Sequence, residues 1–215
     1  MKVTIIIPTL DGDRDGLAQY SIASAHNQYG FTLGVDYEVI VQQGDFFLGK
    51  NVNDAVKIAK GKYIKVLADD DLLTPNCLKD LYEKAEEGYD LVCADAMDFE
   101  ASGRETLHKS RLPLTVSELA EDNPFHGGTF LYRKETMPLF DEDMHTAEEY
   151  EHTLRMAVMG LRFGYVEKVV YRYRLHGSQK SGFYWLRDAK KKMDRYSYIQ
   201  AMQNKYITNY NKIWT

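Results

Sequence analysis

The sequence predicts an α/β fold in which a mostly parallel central sheet carries helices on both faces. Three observations support this prediction. Short apolar runs rich in β-branched residues recur at residues 3–7, 37–41, 63–67 and 90–94, as expected for strands buried on both faces. Segments with helical periodicity lie between these runs, and this spacing favours parallel β-α-β units. Polar turns and glycines separate the two kinds of segment.

Apolar periodicity and end signals define the helices of the first half. Residues 17–28 form one helical segment, and residues 51–60 repeat apolar side chains at helical spacing until Gly61 ends the helix. A third helix is expected to begin with Thr74 as N-cap and Pro75 as its first residue. These helices connect the predicted strands in the order that a parallel sheet requires.

The second half of the chain is less regular. Residues 98–125 predict loops with an antiparallel excursion, and residues 128–133 predict a strand. Residues 147–159 carry a strong helical pattern, and residues 163–171 alternate as a strand does. From residue 184 onward the sequence is polar, basic and aromatic, which favours a helical tail.

Composition excludes several functional classes. The 215 residues carry a net charge of −5, which argues against a nucleic-acid partner because such binding needs a basic face. Two cysteines, Cys77 and Cys93, are too few for a zinc site or a disulfide framework. No run of about 18 apolar residues exists, so we expect no membrane span and a cytoplasmic location. Nothing in the sequence indicates an oligomeric state.

Three consecutive carboxylates, Asp69, Asp70 and Asp71, follow the third predicted strand directly. Like charges this close repel one another and raise each other's pKa. A divalent cation such as Mg²⁺ or Mn²⁺ removes that repulsion and is commonly shared with ligand phosphates. Ligands of an open parallel sheet bind at the carboxyl ends of its strands, where this run lies. The alternative is a solvated acidic turn that caps the next helix.

Several short motifs occur along the chain. Each motif alone is a weak signal, but their order is quite specific for one protein family. They lie at residues 3–9, 37–41, 51–53, 59–64, 67–71, 127–133, 140–142, 148–150 and 173–176. Together they resemble the family 2 glycosyltransferases of GT-A fold, over about residues 3–181. The resemblance implies one domain at residues 1–183, with a nucleotide-binding half at 1–97 and an acceptor half at 98–183. Residues 184–215 would form a tail packed on this domain.

The resemblance also implies a metal-dependent transfer. Residues 69–71 fall where the family places its Asp-x-Asp motif, so Mn²⁺ or Mg²⁺ is the expected cofactor. We expect Asp71 to be the direct ligand and Asp69 to lie nearer the ribose or donor sugar. The register is open, since the motif can also be shifted with Ala68 in the first place. His176 is expected as a further ligand, although a lone histidine is often structural.

The donor is expected to be a nucleoside-diphosphate sugar. The residues predicted to hold it are Thr9, Leu10, Asp11, Gln43, Asn51, Asp69 and Asp70. Asp11 and Gln43 can reach a uracil edge or ribose, so a UDP-sugar is the first expectation and a dTDP-sugar the second. The family often carries an aspartate pair after its second strand, whereas this chain has Gln42 to Asp45, which leaves base selectivity open.

Glu149 matches the position of the family's catalytic base. In an inverting transfer it would take the proton of the attacking acceptor hydroxyl. Thr146 and Glu149 also fit a capping box, with Thr146 as N-cap and Glu149 at the third helical position. The two roles exclude each other, because a capping glutamate bends back on its own backbone. His145 and His152 are expected to be ordinary helix-end and surface residues.

The acceptor is expected to be a hydroxyl of a glycan or glycoprotein. Candidate residues that contact acceptor or donor sugar are Asp95, His126, Gly127 and Glu148, although His126 is equally well explained as a turn residue. Two other functions are open: a nucleotidyltransferase of related fold and a non-catalytic carbohydrate-binding module. The first normally carries a glycine-rich basic signature near its first strand, and this chain is acidic there. The compact chain suggests a small enzyme of a microbial or viral glycan gene cluster, or one domain of a larger transferase.

Overall fold

The computed structural model describes residues 1–10, 16–44, 48–113, 115–144, 147–177, 200 and 204–205. The predicted tail at 184–215 lies outside this part except for three isolated positions. The strands are β1 (Val3–Leu10), β2 (Tyr37–Gly44), β3 (Tyr63–Val66), β4 (Leu72–Leu73), β5 (Leu91–Glu100), β6 (Glu105–His108), β7 (Leu131–Arg133) and β8 (Phe163–Leu175). The α-helices are α1 (Ala18–His26), α2 (Leu48–Ile58), α3 (Cys77–Ala85), α4 (Val116–Glu121) and α5 (Glu148–Val158).

One mixed sheet joins the two halves of the chain. Its strand order is β2-β1-β3-β7-β5-β8-β4, and β6 pairs with β5 outside this path. The long ladders β1–β2, β1–β3 and β5–β8 are parallel, whereas β7 runs antiparallel to both of its neighbours. Because β7 comes from the second half and lies between β3 and β5, the predicted nucleotide and acceptor halves share a single sheet.

Helices cover both faces of this sheet, which confirms the predicted α/β architecture. Helices α2, α4 and α5 pack on one face around a core that includes Ile6, Ile64 and Leu154. Helices α1 and α3 pack on the other face around Ile5, Ile7 and Val92. The alternation of β1 side chains between two cores explains why its sequence is continuously apolar. No helix in the described part of the chain is long and apolar enough to cross a membrane.

Several predicted boundaries are wrong for identifiable reasons. Helix α3 has Asn76 as its N-cap, two residues later than predicted, because Thr74 Oγ1 instead donates a hydrogen bond to the backbone oxygen of Val169. Strand β5 continues to Glu100 because β8 and β6 both pair with its second half. The strand predicted at 128–133 divides into a 3-10 turn at Gly127–Thr129 and the short β7.

Candidate active site

The carboxyl ends of β1, β2 and β3 meet at one edge of the sheet, where open α/β sheets bind their ligands. Thr9 and Leu10 end β1 and pair with Gln43 and Gly44 of β2. Thr9 Oγ1 donates a hydrogen bond of 2.8 Å to Asp69 Oδ2, which joins the end of β1 to the segment after β3. Four residues predicted to bind the donor therefore lie at this edge.

Asn51 borders the same edge from α2. It is buried, and its Oδ1 lies 2.4 Å from the point that a Cβ on residue 44 would occupy, so only Gly44 fits there. The structure thus brings Asn51 close to the end of β2. Asp11 and Asp45 lie outside the described residues.

Asp71 is buried beneath this edge. The Tyr171 hydroxyl donates to Asp71 Oδ2 at 2.7 Å, and the Arg174 backbone N–H donates to Oδ1 at 2.7 Å. Burial raises the pKa of the Asp71 carboxyl well above its usual value, and the charge of Asp70 raises it further, while the two hydrogen bonds oppose the rise. Because both carboxylate oxygens already accept protein hydrogen bonds, this geometry weighs against Asp71 as the direct metal ligand.

Asp70 is the member of the run that faces His176. Asp70 Oδ2 and His176 Nε2 are 3.0 Å apart, and their side chains keep 14% and 17% of their exposure. Arg174 Nε donates a hydrogen bond of 2.8 Å to the Asp70 backbone oxygen and so fixes the turn that carries it. The structure therefore pairs the predicted ligand His176 with Asp70.

This pair fits a divalent cation only in part. No group of three or more His, Cys, Asp or Glu side chains among the described residues converges to hold a metal ion. Mg²⁺ and Mn²⁺, however, are often bound by one or two protein groups together with substrate phosphates. Two neighbouring ligands of an octahedral ion, each about 2.1 Å from it, are about 3.0 Å apart. Asp70 and His176 have this separation, which is also that of the hydrogen bond between them, so a bound cation would replace that bond.

Glu149 lies in the first turn of α5 and is partly exposed. The helix has Ala147 as its N-cap, in a left-handed conformation with φ 57°, so Glu149 occupies the second helical position. The predicted capping box required it at the third, and that register is wrong; Thr146 itself lies outside the described residues. The neighbouring Glu148 is buried. Glu149 is therefore placed differently from a capping-box glutamate.

The turn after His126 connects Glu149 to the acidic run. A Cβ on Gly127 would lie 2.9 Å from Glu149 Cβ, and one on Gly128 would lie 2.4 Å from the ring of Tyr171. Tyr171 in turn donates to Asp71. The two glycines therefore allow one backbone turn to contact both the candidate base and the ring that supports the acidic run.

Asp95 has mainly structural contacts. It lies at an irregularity of the β5–β8 ladder and is buried. Its Oδ1 accepts hydrogen bonds from the Ser110 backbone N–H at 2.9 Å and from the Tyr165 hydroxyl at 2.7 Å. These contacts close the loop after β6, and they favour a structural role over the predicted contact with sugar.

The sequence analysis missed Lys65, which lies fully buried in the middle of β3. Its Nζ donates to the backbone oxygens of Val66 and Gly128, and it lies 5.1 Å from the centre of the Tyr171 ring. Burial lowers the pKa of Lys65 to about 8, against the opposing influence of Cys77 and Asp71. The sequence signal that could have identified Lys65 is its position as a charged residue within the apolar run at residues 63–67.

The fold and this edge define a glycosyltransferase of GT-A type. The sequence model of the glycosyl transferase family 2 matches residues 4–169, and the chain belongs to that family. A comparison with curated proteins finds no match.

Solved structures resemble the chain in fold. S. aureus TarS 1-349 in complex with UDP-GlcNAc has a TM-score of 0.63 and 18% identity, over 84% of this chain and 60% of that one. The mannosyltransferase PcManGT from Pyrobaculum calidifontis, in complex with GDP-Man and Mn2+, has a TM-score of 0.59 and 16% identity, over 86% of this chain and 59% of that one. The chain thus spans about three fifths of the length of either structure.

Proposed function

We propose that the chain transfers a sugar from a nucleoside-diphosphate sugar to a hydroxyl of a glycan or glycoprotein, with inversion at the anomeric carbon. One observation carries this proposal: Tyr171 donates to Asp71, the neighbour of Asp70, and packs on the Gly127–Thr129 turn, against which Glu149 also packs. A group that can bind metal and diphosphate is thereby joined to a carboxylate that can accept a proton.

The donor would lie along the edge formed by Thr9, Gln43, Asn51 and Asp69. We favour a UDP-sugar, because Gln43 offers an amide to a uracil edge and because the TarS structures bind UDP and UDP-GlcNAc. The GDP-Man complex of PcManGT makes a guanine donor the main alternative. Asp70 and His176 would hold Mn²⁺ or Mg²⁺, which supplies Lewis-acid neutralisation of the diphosphate when bound.

Glu149 would act as the general base. The acceptor oxygen forms a bond to the anomeric carbon as the bond from that carbon to the diphosphate oxygen breaks on the opposite face. The nucleoside diphosphate leaves with the bonding electrons, and the acceptor proton passes to the Glu149 carboxylate. The single displacement inverts the anomeric centre, and no covalent sugar–enzyme intermediate forms.

Calorimetry with UDP and Mn²⁺, compared with GDP and Mn²⁺, tests the donor and the metal together. We expect Asp70→Asn to weaken metal-dependent UDP binding by about tenfold or more, as loss of a charged ligand should. Asp122→Asn is the matched control, since Asp122 is exposed at the C-cap of α4. Unchanged binding in Asp70→Asn would refute the assignment of Asp70.

Hydrolysis of a UDP-sugar panel, followed by NMR of the first anomer released, tests the base. Glu149→Gln should retain UDP binding and lower turnover by about 100-fold or more, in the range of general-base catalysis. Glu87→Gln, at an exposed position, is its control. Full activity in Glu149→Gln would refute the role of Glu149, and glycan binding without turnover by the wild-type chain would favour a carbohydrate-binding module.

A further inference from the structure

A second group of polar and aromatic side chains lies beside the His126 turn. It comprises Asp98 of β5, His108 of β6, His126, and Tyr173 of β8, and we call it the β5–β6 cluster. All four residues are partly exposed. Neither the metal pair nor the donor edge includes Asp98, His108 or Tyr173.

The backbone brings these four residues together. Asp98 pairs with Tyr173 in the parallel β5–β8 ladder, and His108 pairs with Ala96, two residues before Asp98. The His126 ring lies 5.4 Å from the ring of His108 and 4.8 Å from the ring of Tyr173, measured between centroids. The cluster is therefore a compact surface formed by three strands and one turn.

Within the described residues, the cluster holds one unsatisfied acceptor and one ring N–H donor. Asp98 Oδ1 is buried and accepts no hydrogen bond from any described residue. His126 Nδ1 accepts a hydrogen bond of 3.2 Å from the Gly128 N–H, which leaves the proton of the neutral ring on Nε2. Burial and His108 lower the pKa of His126 to about 3, so the ring is neutral at ordinary pH. The cluster thus presents an acceptor, Asp98, and a donor, His126 Nε2.

The chemistry of the cluster selects one class of ligand. The described residues contain no His, Cys, Asp or Glu trio arranged to hold a metal ion, and His126 Nδ1 already accepts the Gly128 N–H. An anion would face the Asp98 carboxylate. A neutral polyhydroxyl ligand fits, because its hydroxyl groups can both donate to Asp98 and accept from His126, while its ring can lie on Tyr173.

We propose that the β5–β6 cluster binds the acceptor sugar, an inference that rests on the proposed transferase function. His126 directly precedes Gly127, against which the side chain of Glu149 packs. The Gly127 turn thus joins the cluster to Glu149, and the acceptor sugar would lie across this turn with one hydroxyl at Glu149 and others at His126 and Asp98. The cluster fixes which acceptor hydroxyl reaches the base.

Saturation-transfer NMR in the presence of UDP and Mn²⁺ tests this proposal. The probes are the methyl glycosides of glucose, galactose, mannose and N-acetylglucosamine. At least one should bind the wild-type chain, and Asp98→Asn should weaken it by about tenfold, the loss expected for one hydrogen bond to a charged or buried group. His108→Gln removes the ring that packs edge-on against His126 and should weaken binding as well. His26→Gln, at the exposed end of α1, is the matched control.

Three further readouts separate the possible outcomes. UDP binding and the hydrolysis of the donor by water should stay within about twofold in both variants, since neither needs the acceptor. The melting temperature of Asp98→Asn should not fall, because Asp98 Oδ1 accepts no hydrogen bond from any described residue. Glycoside binding that is absent, or unchanged in both variants, while UDP still binds would overturn the proposal. Failure of the wild-type chain to bind UDP or GDP would instead refute the proposed function.

Discussion

Acidification is expected to destabilise the protein through its buried imidazoles, and the contribution of His152 in α5 can be measured by itself. The sequence suggested a surface residue, but His152 is fully buried. Its Nε2 lies 2.7 Å from the Pro138 backbone oxygen, and its ring stacks on Phe140 with centroids 4.0 Å apart. Its Nδ1 has no hydrogen-bond partner among the described residues. Burial lowers the pKa of His152 to about 4, although the Pro138 contact opposes this shift.

The size of the effect follows from the two pKa values of His152. In the unfolded chain the pKa of His152 is about 6.5, so below that pH the ring is protonated in the unfolded state. In the folded state the ring stays neutral until the pH approaches 4. The contribution of the neutral His152 ring to the free energy of unfolding is therefore fully present above pH 6.5. It is lost as the pH falls from 6.5 towards 4. At 1.36 kcal/mol per unit, the loss is about 2 kcal/mol at pH 5 and reaches about 3 kcal/mol below pH 4.

Urea unfolding at pH 8 and pH 5 measures this loss. His152→Gln keeps an amide N–H for the Pro138 oxygen and cannot titrate. Between pH 8 and pH 5, its free energy of unfolding should therefore fall by about 2 kcal/mol less than that of the wild type. His26→Gln changes an exposed histidine in the same way and should follow the wild type. Parallel pH profiles for His152→Gln and the wild type would refute this account of the buried ring.

Three further outcomes follow from the turn and the buried lysine. Gly127→Ala would place a methyl group 2.9 Å from Glu149 Cβ, so turnover should fall by on the order of 100-fold with UDP affinity retained, as kinetics and calorimetry can show. Gly128→Ala would place a methyl group 2.4 Å from the rigid Tyr171 ring and should lower the free energy of unfolding by about 1–3 kcal/mol in urea titrations. The difference in free energy of unfolding between the wild type and Lys65→Met should grow between pH 8 and pH 10, because the folded lysine loses its proton near pH 8 and the unfolded one near 10.4. A stability–pH profile that stays parallel to the wild type would contradict the last prediction.

Local patterns in the sequence were sufficient for the sheet and its helices. The apolar runs and their spacing predicted β1, β2, β3 and the flanking helices to within a few residues, because burial on both faces leaves a strong signal. The order of short motifs predicted the family. The roles of individual site residues stay predictions.

Features that depend on distant partners were not predictable from local patterns. The burial of Asp71 depends on Tyr171 and Arg174 on another strand. His152 lies outside the apolar stripe of its helix, yet it is buried against Phe140 and the Pro138 backbone oxygen. Thr74 has the sequence signals of an N-cap, but its hydroxyl donates to the Val169 backbone oxygen of β8 instead. In each case a tertiary hydrogen bond overrode a correct local preference.

The hydrogen bonds between the acidic run and β8 have a consequence for how the protein folds. Tyr171, Arg174 and His176 are separated from their acidic partners by 100 to 106 positions along the chain. Contacts this remote in sequence form late and slowly, because the intervening loop must first close. A nascent chain that has emerged only as far as β7 already contains all three aspartates but none of these partners. Assembly of the candidate catalytic centre is therefore coupled to completion of β8, and a chain synthesised only as far as β7 would be inactive.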